Sequence, residues 1–186
     1  MKKVIFTIAL SFAMAVGAQA QEKNVDVTKS NIHWLGEKVT GFHEGNLSLK
    51  SGSLIMNEGN VTGGRFVVDM NSMTCTDLEG EYAGKLIGHL KSDDFFSVDK
   101  HPEATLTFTA VENKGNGVFA VTGDFTIKGK TNPAQFDLVV DENGATAKVV
   151  IDRSKYDVRY GSNTFFDNLG DKAIYNDFKL DVTLKM

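Results

Sequence analysis

Apolar and polar residues alternate with a period of two along most of this chain, as in β-strands that bury one face. In the C-terminal segment, Phe178, Leu180 and Val182 share one face, whereas Lys179 and Asp181 lie on the other. The same alternation runs through residues 104–110, 119–128, 134–140 and 145–151. Gly- and Asn-rich turn signals separate these segments, so the pattern predicts about eight antiparallel strands joined mostly by short hairpins.

The N-terminal half is less regular, and one segment departs from the alternation altogether. We expect strands over residues 25–39, 45–50, 53–56 and 60–70, with a turn signal at Lys50-Ser51-Gly52. Residues 79–92 carry apolar positions at helical spacing, at Tyr82, Leu86, His89 and Leu90. Gly84 and Gly88 each weaken this helix by about 1 kcal/mol relative to Ala, so it should depend on packing as a lid or plug.

These elements favour an all-β fold: a closed, antiparallel, eight-stranded barrel with one short helix. An open sheet with one apolar face would expose two edges and a large apolar surface, and closure removes both. A barrel of about eight strands can just hold side chains or one small ligand. A two-sheet sandwich is the alternative architecture.

The N-terminus has the three-part pattern of a secretory signal peptide. Lys2 and Lys3 precede an apolar run over residues 4–16, and Ala18-Gln19-Ala20 forms a small-x-small cleavage site. The apolar run is shorter than the about 20 residues that span a bilayer. We therefore expect a signal peptide at 1–20, a single domain at 21–186, and a periplasmic or secreted protein.

Charge and motif spacing argue against several functional classes. The net charge of −4 disfavours binding to nucleic acid or to anionic membranes. The histidines lack paired zinc-ligand spacing, and the Gly123–Thr131 segment lacks the spacing and following helix of a phosphate loop, so we expect no metal and no cofactor. Cys75 is the only cysteine, which excludes an intrachain disulfide and leaves a buried or idle thiol.

Strand phase, the alternation of inward and outward residues along a strand, can be followed to the strand ends. There it places three cationic or potentially cationic residues on apolar faces: Lys38, His43 and Arg153. An inward charge is costly unless it is paired. Each side chain could meet an acidic partner or extend out of the rim. Alternatively, the three could form a polar mouth that holds a head group above an apolar shaft.

Several motifs, in order, resemble those of the YceI-like family over about residues 25–185. They are Trp34-x-Gly36-x-Lys38, Gly41-Phe42-His43-Glu44-Gly45, Leu86-x-x-His89-Leu90-Lys91-Ser92-x-Asp94-Phe95-Phe96, Val121-x-Gly123-Asp124-Phe125-x-Ile127-x-Gly129 and Ile151-x-Arg153-x-x-Tyr156. The resemblance implies a lipocalin-like barrel and periplasmic or secreted binding of polyisoprenoid lipids. The chain differs from the family at Asp157, where glycine is frequent, and residues 159–173 are hard to align.

On this basis we expect non-covalent binding of an isoprenoid or other long-chain amphipathic lipid, for carriage or buffering in the bacterial envelope. The expected lining is Trp34, Phe66, Phe108, Phe119, Phe125, Phe136 and Phe178, with gaps left by Gly36, Gly45 and Gly123. The expected head-group residues are Lys38, His43 and Arg153, and the expected gate is Leu86, Leu90, Phe95 and Phe96. The alternatives are an enzyme with His43 or His89 as general base and a solidly packed structural barrel. A homodimer is compatible with the sequence.

Overall fold

A computed structural model describes residues 20–186, which form one antiparallel sheet of nine strands and one α-helix. The strands are β1 Gln21–Asn24, β2 Asn31–Lys38, β3 Gly41–Asn57, β4 Asn60–Asp69, β5 Glu103–Gly115, β6 Val118–Ile127, β7 Lys130–Asp141, β8 Gly144–Asp152 and β9 Ile174–Lys185. The helix, α1, is Gly80–Lys91, and short 3-10 turns lie at Met70–Ser72, Arg153–Tyr156 and Gly170–Lys172. The signal peptide expected at residues 1–20 lies, except for Ala20, outside the described residues.

Strands β2 to β9 close into a ring, which confirms the antiparallel eight-stranded barrel and excludes the two-sheet sandwich. The ring order is β3-β2-β9-β8-β7-β6-β5-β4, and β4 pairs back onto β3. The short β1 pairs with the C-terminal half of β3 and lies in line with β2, which pairs with the N-terminal half. The strand expected at 25–39 is therefore confirmed only over Asn31–Lys38, because Asp26 organises a turn before β2 through bonds to Thr28 and Ser30.

β3 is continuous where the sequence suggested two strands separated by a turn. Its register with β4 shifts between Leu49 and Ser51, so the Lys50-Ser51-Gly52 signal marks a β-bulge within the strand. A bulge bends the strand, and this long strand can therefore pair with β1 and β2 along one edge and with β4 along the other.

The two ends of the barrel differ in their connections. The hairpins β3–β4, β5–β6 and β7–β8 lie at one end, which we call the far end. At the other end, the mouth, lie the β2–β3 and β6–β7 hairpins, the connection 70–102 that contains α1, and the connection 153–173. The far end is tightly packed: Leu54 is fully buried and Leu138 is 2% exposed.

The segment 73–77, which we call the strap, completes the barrel wall beside the mouth. β4 pairs with β3 only from Ser48 onward, so the N-terminal half of β3 has no strand on that edge. The strap fills this place, because Thr74 N–H donates to the Asn46 carbonyl at 3.0 Å and Thr76 N–H donates to the Glu44 carbonyl at 2.9 Å. The wall is therefore irregular there but still hydrogen-bonded.

Helix α1 agrees with the sequence prediction to within one residue at each end. It begins at Gly80 and ends at Lys91, where Ser92 N–H donates to the Gly88 and His89 carbonyls. No residue of α1 is fully buried. The helix lies on the mouth as a cover rather than inside the core.

Candidate functional site

The interior of the barrel contains an apolar cavity of about 370 Å³. Its deep lining residues, such as Leu138 and Leu184, are almost completely buried. Its other lining residues include Tyr160 and Tyr175, which are 47% and 53% exposed and lie at the mouth. The cavity is therefore closed at the far end and opens at the mouth, so the barrel is not packed solid.

Most of the aromatic residues expected in the lining do face the cavity: Trp34, Phe66, Phe108, Phe125, Phe136 and Phe178. Four of them form a continuous aromatic wall, because the ring centroids of Phe108 lie 5.7 Å from Phe66 and 5.9 Å from Phe136, and Phe125 lies 6.1 Å from Phe136. Such a wall offers a large apolar surface at little cost in side-chain entropy.

Phe119, which we also expected in the lining, lies elsewhere. It pairs with Asn113 and Leu138 beside the β5–β6 hairpin, is 3% exposed, and packs in the core of the far end below the cavity. Strand phase correctly gives its inward direction, but phase alone does not give its depth along the barrel axis.

The four residues expected to form a gate all reach the cavity at the mouth: Leu86, Leu90, Phe95 and Phe96. The Phe96 ring meets Phe178 edge-on at 6.2 Å. His89 packs edge-on between Phe95 at 5.0 Å and Tyr160 at 4.5 Å. Helix α1, the loop after it and the connection 153–173 thus share one aromatic cluster over the opening.

Arg153 is the most buried of the three inward cations, with 3% of its surface exposed. Its Nε, Nη1 and Nη2 donate to the carbonyls of Tyr175, Val158 and Ile174 at 3.1, 2.8 and 3.1 Å. No carboxylate among residues 20–186 lies within 4.0 Å of it, and burial lowers the pKa of the guanidinium. The guanidinium carries more N–H groups than these three bonds use, and the side chain lines the cavity.

His43 is held by a carboxylate at the mouth. Its Nδ1 lies 2.7 Å from Asp77 Oδ2, while Asp77 Oδ1 accepts from Glu44 N–H at 3.0 Å and from the Cys75 thiol at 3.2 Å. Burial raises the pKa of Asp77, but the hydrogen bonds from Glu44, His43 and Cys75 outweigh it and lower the pKa to about 2. Asp77 therefore stays ionised and fixes the His43 ring, which lines the cavity.

Lys38 is a further polar residue of the lining, which also includes the acidic residues Glu37 and Asp177. It is half-buried at the end of β2, opposite Gly41 and Ile174, and lines the cavity. It makes no ion pair within residues 20–186. Ile174 of β9, which pairs with Lys38, also accepts a hydrogen bond from Arg153 through its carbonyl. Because β9 lies between β2 and β8, Lys38 and Arg153 lie on either side of Ile174.

Only one of the three glycines expected to leave gaps does so. Gly36 lines the cavity, and the nearest atom to a Cβ built there would lie 4.0 Å away. At Gly45 the space is taken by the strap, since a Cβ would lie 1.9 Å from the Thr74 carbonyl oxygen. At Gly123 a Cβ would lie 2.5 Å from the side chain of Leu106. Gly45 and Gly123 therefore permit close packing of the wall and do not enlarge the cavity.

Some lining residues were not singled out from the sequence. Leu47, Leu106 and Leu180 share the face of expected lining residues, and strand phase would have found them. Met73 and Tyr160 come from the strap and the connection 153–173, which have no periodic pattern. Asp157, where the family frequently has glycine, does not line the cavity. Its φ of 61° is left-handed, which explains why glycine suits this position and Asp is tolerated.

No group of three or more His, Cys, Asp or Glu side chains within residues 20–186 is placed to hold a metal ion. No helix in that range is long and apolar enough to cross a membrane.

A closed antiparallel barrel with an apolar cavity open at one end defines a lipocalin-like fold. The particular family follows from the sequence: the model of the YceI-like domain matches residues 24–186, and the chain belongs to that family. A UPF0312 protein of Vibrio parahaemolyticus is 36% identical over 141 residues, which cover 72% of this chain and 71% of the relative.

Solved structures show the same fold at low sequence identity. Burkholderia cenocepacia BcnA is 21% identical and aligns with a TM-score of 0.66 over 86% of this chain and 98% of its own. A polyisoprenoid binding domain from Saccharophagus degradans, implicated in plant cell wall breakdown, is 14% identical and aligns with a TM-score of 0.60 over 89% and 97%.

Proposed function

We propose that this protein binds a polyisoprenoid or similar long-chain amphipathic lipid non-covalently in its barrel, for carriage or buffering in the bacterial envelope. The observation that carries the proposal is the cavity of about 370 Å³, which is apolar in its depth and has its polar groups near the mouth. Burial of a hydrocarbon tail contributes about 25 cal/mol for each Å² removed from water. Membership of the YceI-like family and the fold shared with a polyisoprenoid binding domain support a binding protein.

The proposal assigns the tail and the head of the ligand to different residues. The tail would lie along the wall formed by Phe66, Phe108, Phe125 and Phe136, and Trp34 and Phe178 would contact it nearer the mouth. The head group would meet the remaining N–H groups of Arg153, the ammonium of Lys38 and the ring of His43. The cover formed by Leu86, Leu90, Phe95 and Phe96 would close over the opening once the tail is inside.

The place of action we propose is the periplasm or the extracellular space. The support is the three-part pattern of residues 1–20 in the sequence. Mass determination of the N-terminus of protein recovered from the periplasm should show a chain that begins at Gln21. Recovery of the full-length chain in the cytoplasm would contradict export.

Analysis of the lipid carried by natively purified protein tests the binding function. We expect solvent extraction of detergent-free protein, followed by mass spectrometry, to yield a long-chain amphipathic lipid in near-stoichiometric amount. Trp34 is the only tryptophan and lines the cavity, so its fluorescence should respond when a prenyl alcohol is added to delipidated protein. As the control, Ala147→Phe fills the deep part of the cavity and should reduce both signals.

Protein that purifies without lipid, and whose Trp34 fluorescence does not respond to prenyl alcohols, would show that the cavity is not a tail-binding site. An unchanged response in Ala147→Phe would show that the ligand binds outside the barrel.

One observation favours a second candidate, an enzyme that acts on a bound hydrophobic substrate. His43 is both hydrogen-bonded to Asp77 and part of the cavity lining, as a general base requires. The neighbouring Cys75 is a poor nucleophile, because burial and its bond to Asp77 raise the pKa of the thiol. Incubation of the protein with its extracted lipid should return the lipid unchanged, whereas a product lost in His43→Gln would establish the enzyme.

A further inference from the structure

The exposed aromatic residues of this protein are concentrated at one end of the barrel. Within residues 20–186, the large hydrophobic side chains that are exposed include six aromatics: Phe42, Tyr82, Tyr160, Phe165, Phe166 and Tyr175. All six belong to segments at the mouth. The exposed hydrophobic residues on the strands nearer the far end, Ile55 and Val139, are aliphatic.

Backbone hydrogen bonds join the β2–β3 hairpin, the connection 153–173 and the start of β9, which carry five of these six residues. Val39, 47% exposed in the β2–β3 hairpin beside Phe42, donates its N–H to the Ala173 carbonyl at 3.1 Å. Ile174 N–H donates to the Gly161 carbonyl at 2.8 Å, and this bond closes the connection that holds Phe165 and Phe166. We call Val39 and the six aromatics the mouth rim.

The mouth rim continues directly into the cavity. Tyr160 and Tyr175 belong to both, because each is about half exposed and also lines the cavity. Tyr160 further contacts His89 of α1 at 4.5 Å. An apolar surface on the outside of the protein is therefore continuous with the apolar interior through the opening.

Charges near the rim are mixed in sign. Asp157 and Arg159 pair within the connection 153–173, Glu37 pairs with Lys179 beside the β2–β3 hairpin, and Glu81 pairs with Lys85 on α1. No excess of positive charge distinguishes this end, and the chain as a whole is acidic. A partner held mainly by attraction to anionic groups does not fit this surface.

We propose that the mouth rim docks on the surface of a phospholipid bilayer, with its aromatic side chains in the interfacial zone. The phenol ring of Tyr favours this zone, since one part of it is apolar and another hydrated. The phenyl ring of Phe inserts into its apolar part. A bilayer also fits the continuity of rim and cavity, because a lipid could pass from the membrane into the barrel without exposing its tail to water. This inference rests on the proposed lipid-binding function and adds the surface from which the ligand enters.

Flotation with phosphatidylcholine vesicles tests the docking surface. We expect the wild-type chain to float with the vesicles, with little loss when NaCl rises from about 0.1 M to about 1 M, because apolar insertion is not screened by salt. The double variant Phe165→Ser/Phe166→Ser should lower the partition coefficient by about tenfold, since two exposed rings no longer insert. Both rings are exposed, so circular dichroism should show an unchanged fold.

The matched control is Ile55→Ser/Val139→Ser, which removes two exposed aliphatic side chains nearer the far end. It should float like the wild type. The proposal is overturned by absent flotation of the wild type, by equal losses in both double variants, or by binding that needs phosphatidylglycerol and disappears in high salt. It is also overturned if light scattering shows a dimer that only the Phe variant dissociates, because the rim would then bind a second copy.

A separate measurement distinguishes failure of docking from failure of lipid binding. The Trp34 fluorescence response to a prenyl alcohol in vesicle-free solution reports on the cavity alone. A normal response in a wild-type protein that does not float would overturn the docking surface and leave the proposed function intact. Flotation without a Trp34 response would overturn the proposed lipid-binding function and leave the docking surface intact.

Discussion

At the scale of single residues, Arg153 shows how a buried cation is held without a carboxylate. The three carbonyl groups that it bonds come from the 3-10 turn region and from the start of β9, so the guanidinium joins segments that lie far apart in the sequence. Backbone dipoles offset part of the cost of burying the charge. Arg153 thus holds segments of the mouth together and also presents hydrogen-bond donors to the cavity.

Replacement of Arg153 by Met should separate these two roles. We expect the free energy of unfolding, measured by urea titration, to fall by about 2–4 kcal/mol, because three carbonyls lose a charged partner. In folded protein, the affinity for a prenyl phosphate should fall while that for a prenyl alcohol is retained. Arg153→Lys serves as the control for charge, since it keeps the cation but not the planar fork. Equal loss for both ligands would assign Arg153 to architecture alone.

Asp77 should make stability depend on pH in the acid range. Its pKa is about 2 in the folded protein, below the ordinary value of 3.8, so its ionised form stabilises the fold above that ordinary value. This contribution, about 1–2 kcal/mol, should be lost as the pH falls from about 4 through about 2. Urea unfolding at a series of pH values should show this slope in the wild type and a weaker one in Asp77→Asn.

The exposed Asp99 supplies the control for this experiment, because Asp99→Asn removes a carboxylate that does not line the cavity. Its pH profile should match that of the wild type. If Asp77→Asn and the wild type lose stability in parallel, the hydrogen bonds of Asp77 do not hold the carboxylate in its ionised form.

At the scale of elements, the strap is the least regular part of the wall. Its backbone forms hydrogen bonds to β3. In addition, the indole Nε1–H of Trp34, on β2, donates to the Thr74 carbonyl at 3.1 Å. The close approach depends on Gly45, where the backbone of the strap occupies the space of a side chain. The strap therefore attaches the segment that leads into α1 to the barrel wall.

Two glycine substitutions test the strap against the cavity. Gly45→Ala should lower the free energy of unfolding by about 1–3 kcal/mol, because its Cβ would overlap the Thr74 carbonyl. Gly36→Ala, on the neighbouring strand, has room for its Cβ and should change stability little. Thermal unfolding monitored by circular dichroism measures both. Equal effects would show that the strap moves away at little cost.

At the scale of the whole molecule, the inner faces of the strands serve two purposes along one axis. Near the far end they pack against one another and stabilise the barrel, and nearer the mouth they line the cavity. Phe119 and Phe125 lie on the same face of β6 but in different parts of this axis. One strand therefore contributes to both the core and the site.

Alanine at these two positions should separate stability from binding. Phe119→Ala should destabilise the protein by an amount near the upper end of about 3–5 kcal/mol, and Phe125→Ala near the lower end, because Phe125 already faces a cavity. Only Phe125→Ala should weaken the Trp34 response to long-chain ligands. A response weakened equally by Phe119→Ala would mean that the ligand reaches the far end.

The sequence predicted the parts of this fold that repeat and missed the parts that do not. Strand phase found Trp34, Phe125 and Arg153 as inward residues, because a period of two follows directly from strand geometry. It could not find the carbonyls that hold Arg153, since two of the three become neighbours only when β9 pairs with β8. Asp77 was missed because it lies in the strap, and its contact with His43 depends on tertiary packing alone.

The pairing of β2 with β9 also has a consequence for the order of folding. Every other neighbouring pair in the ring consists of strands that follow one another in the chain. In contrast, β2 must pair with β9, at the opposite end of the chain. Contacts so distant in sequence form slowly, because the chain entropy of a very long loop is lost before the contacts stabilise it. Ring closure should be the late step, so the interior would remain open to water until the last strand of the chain has docked.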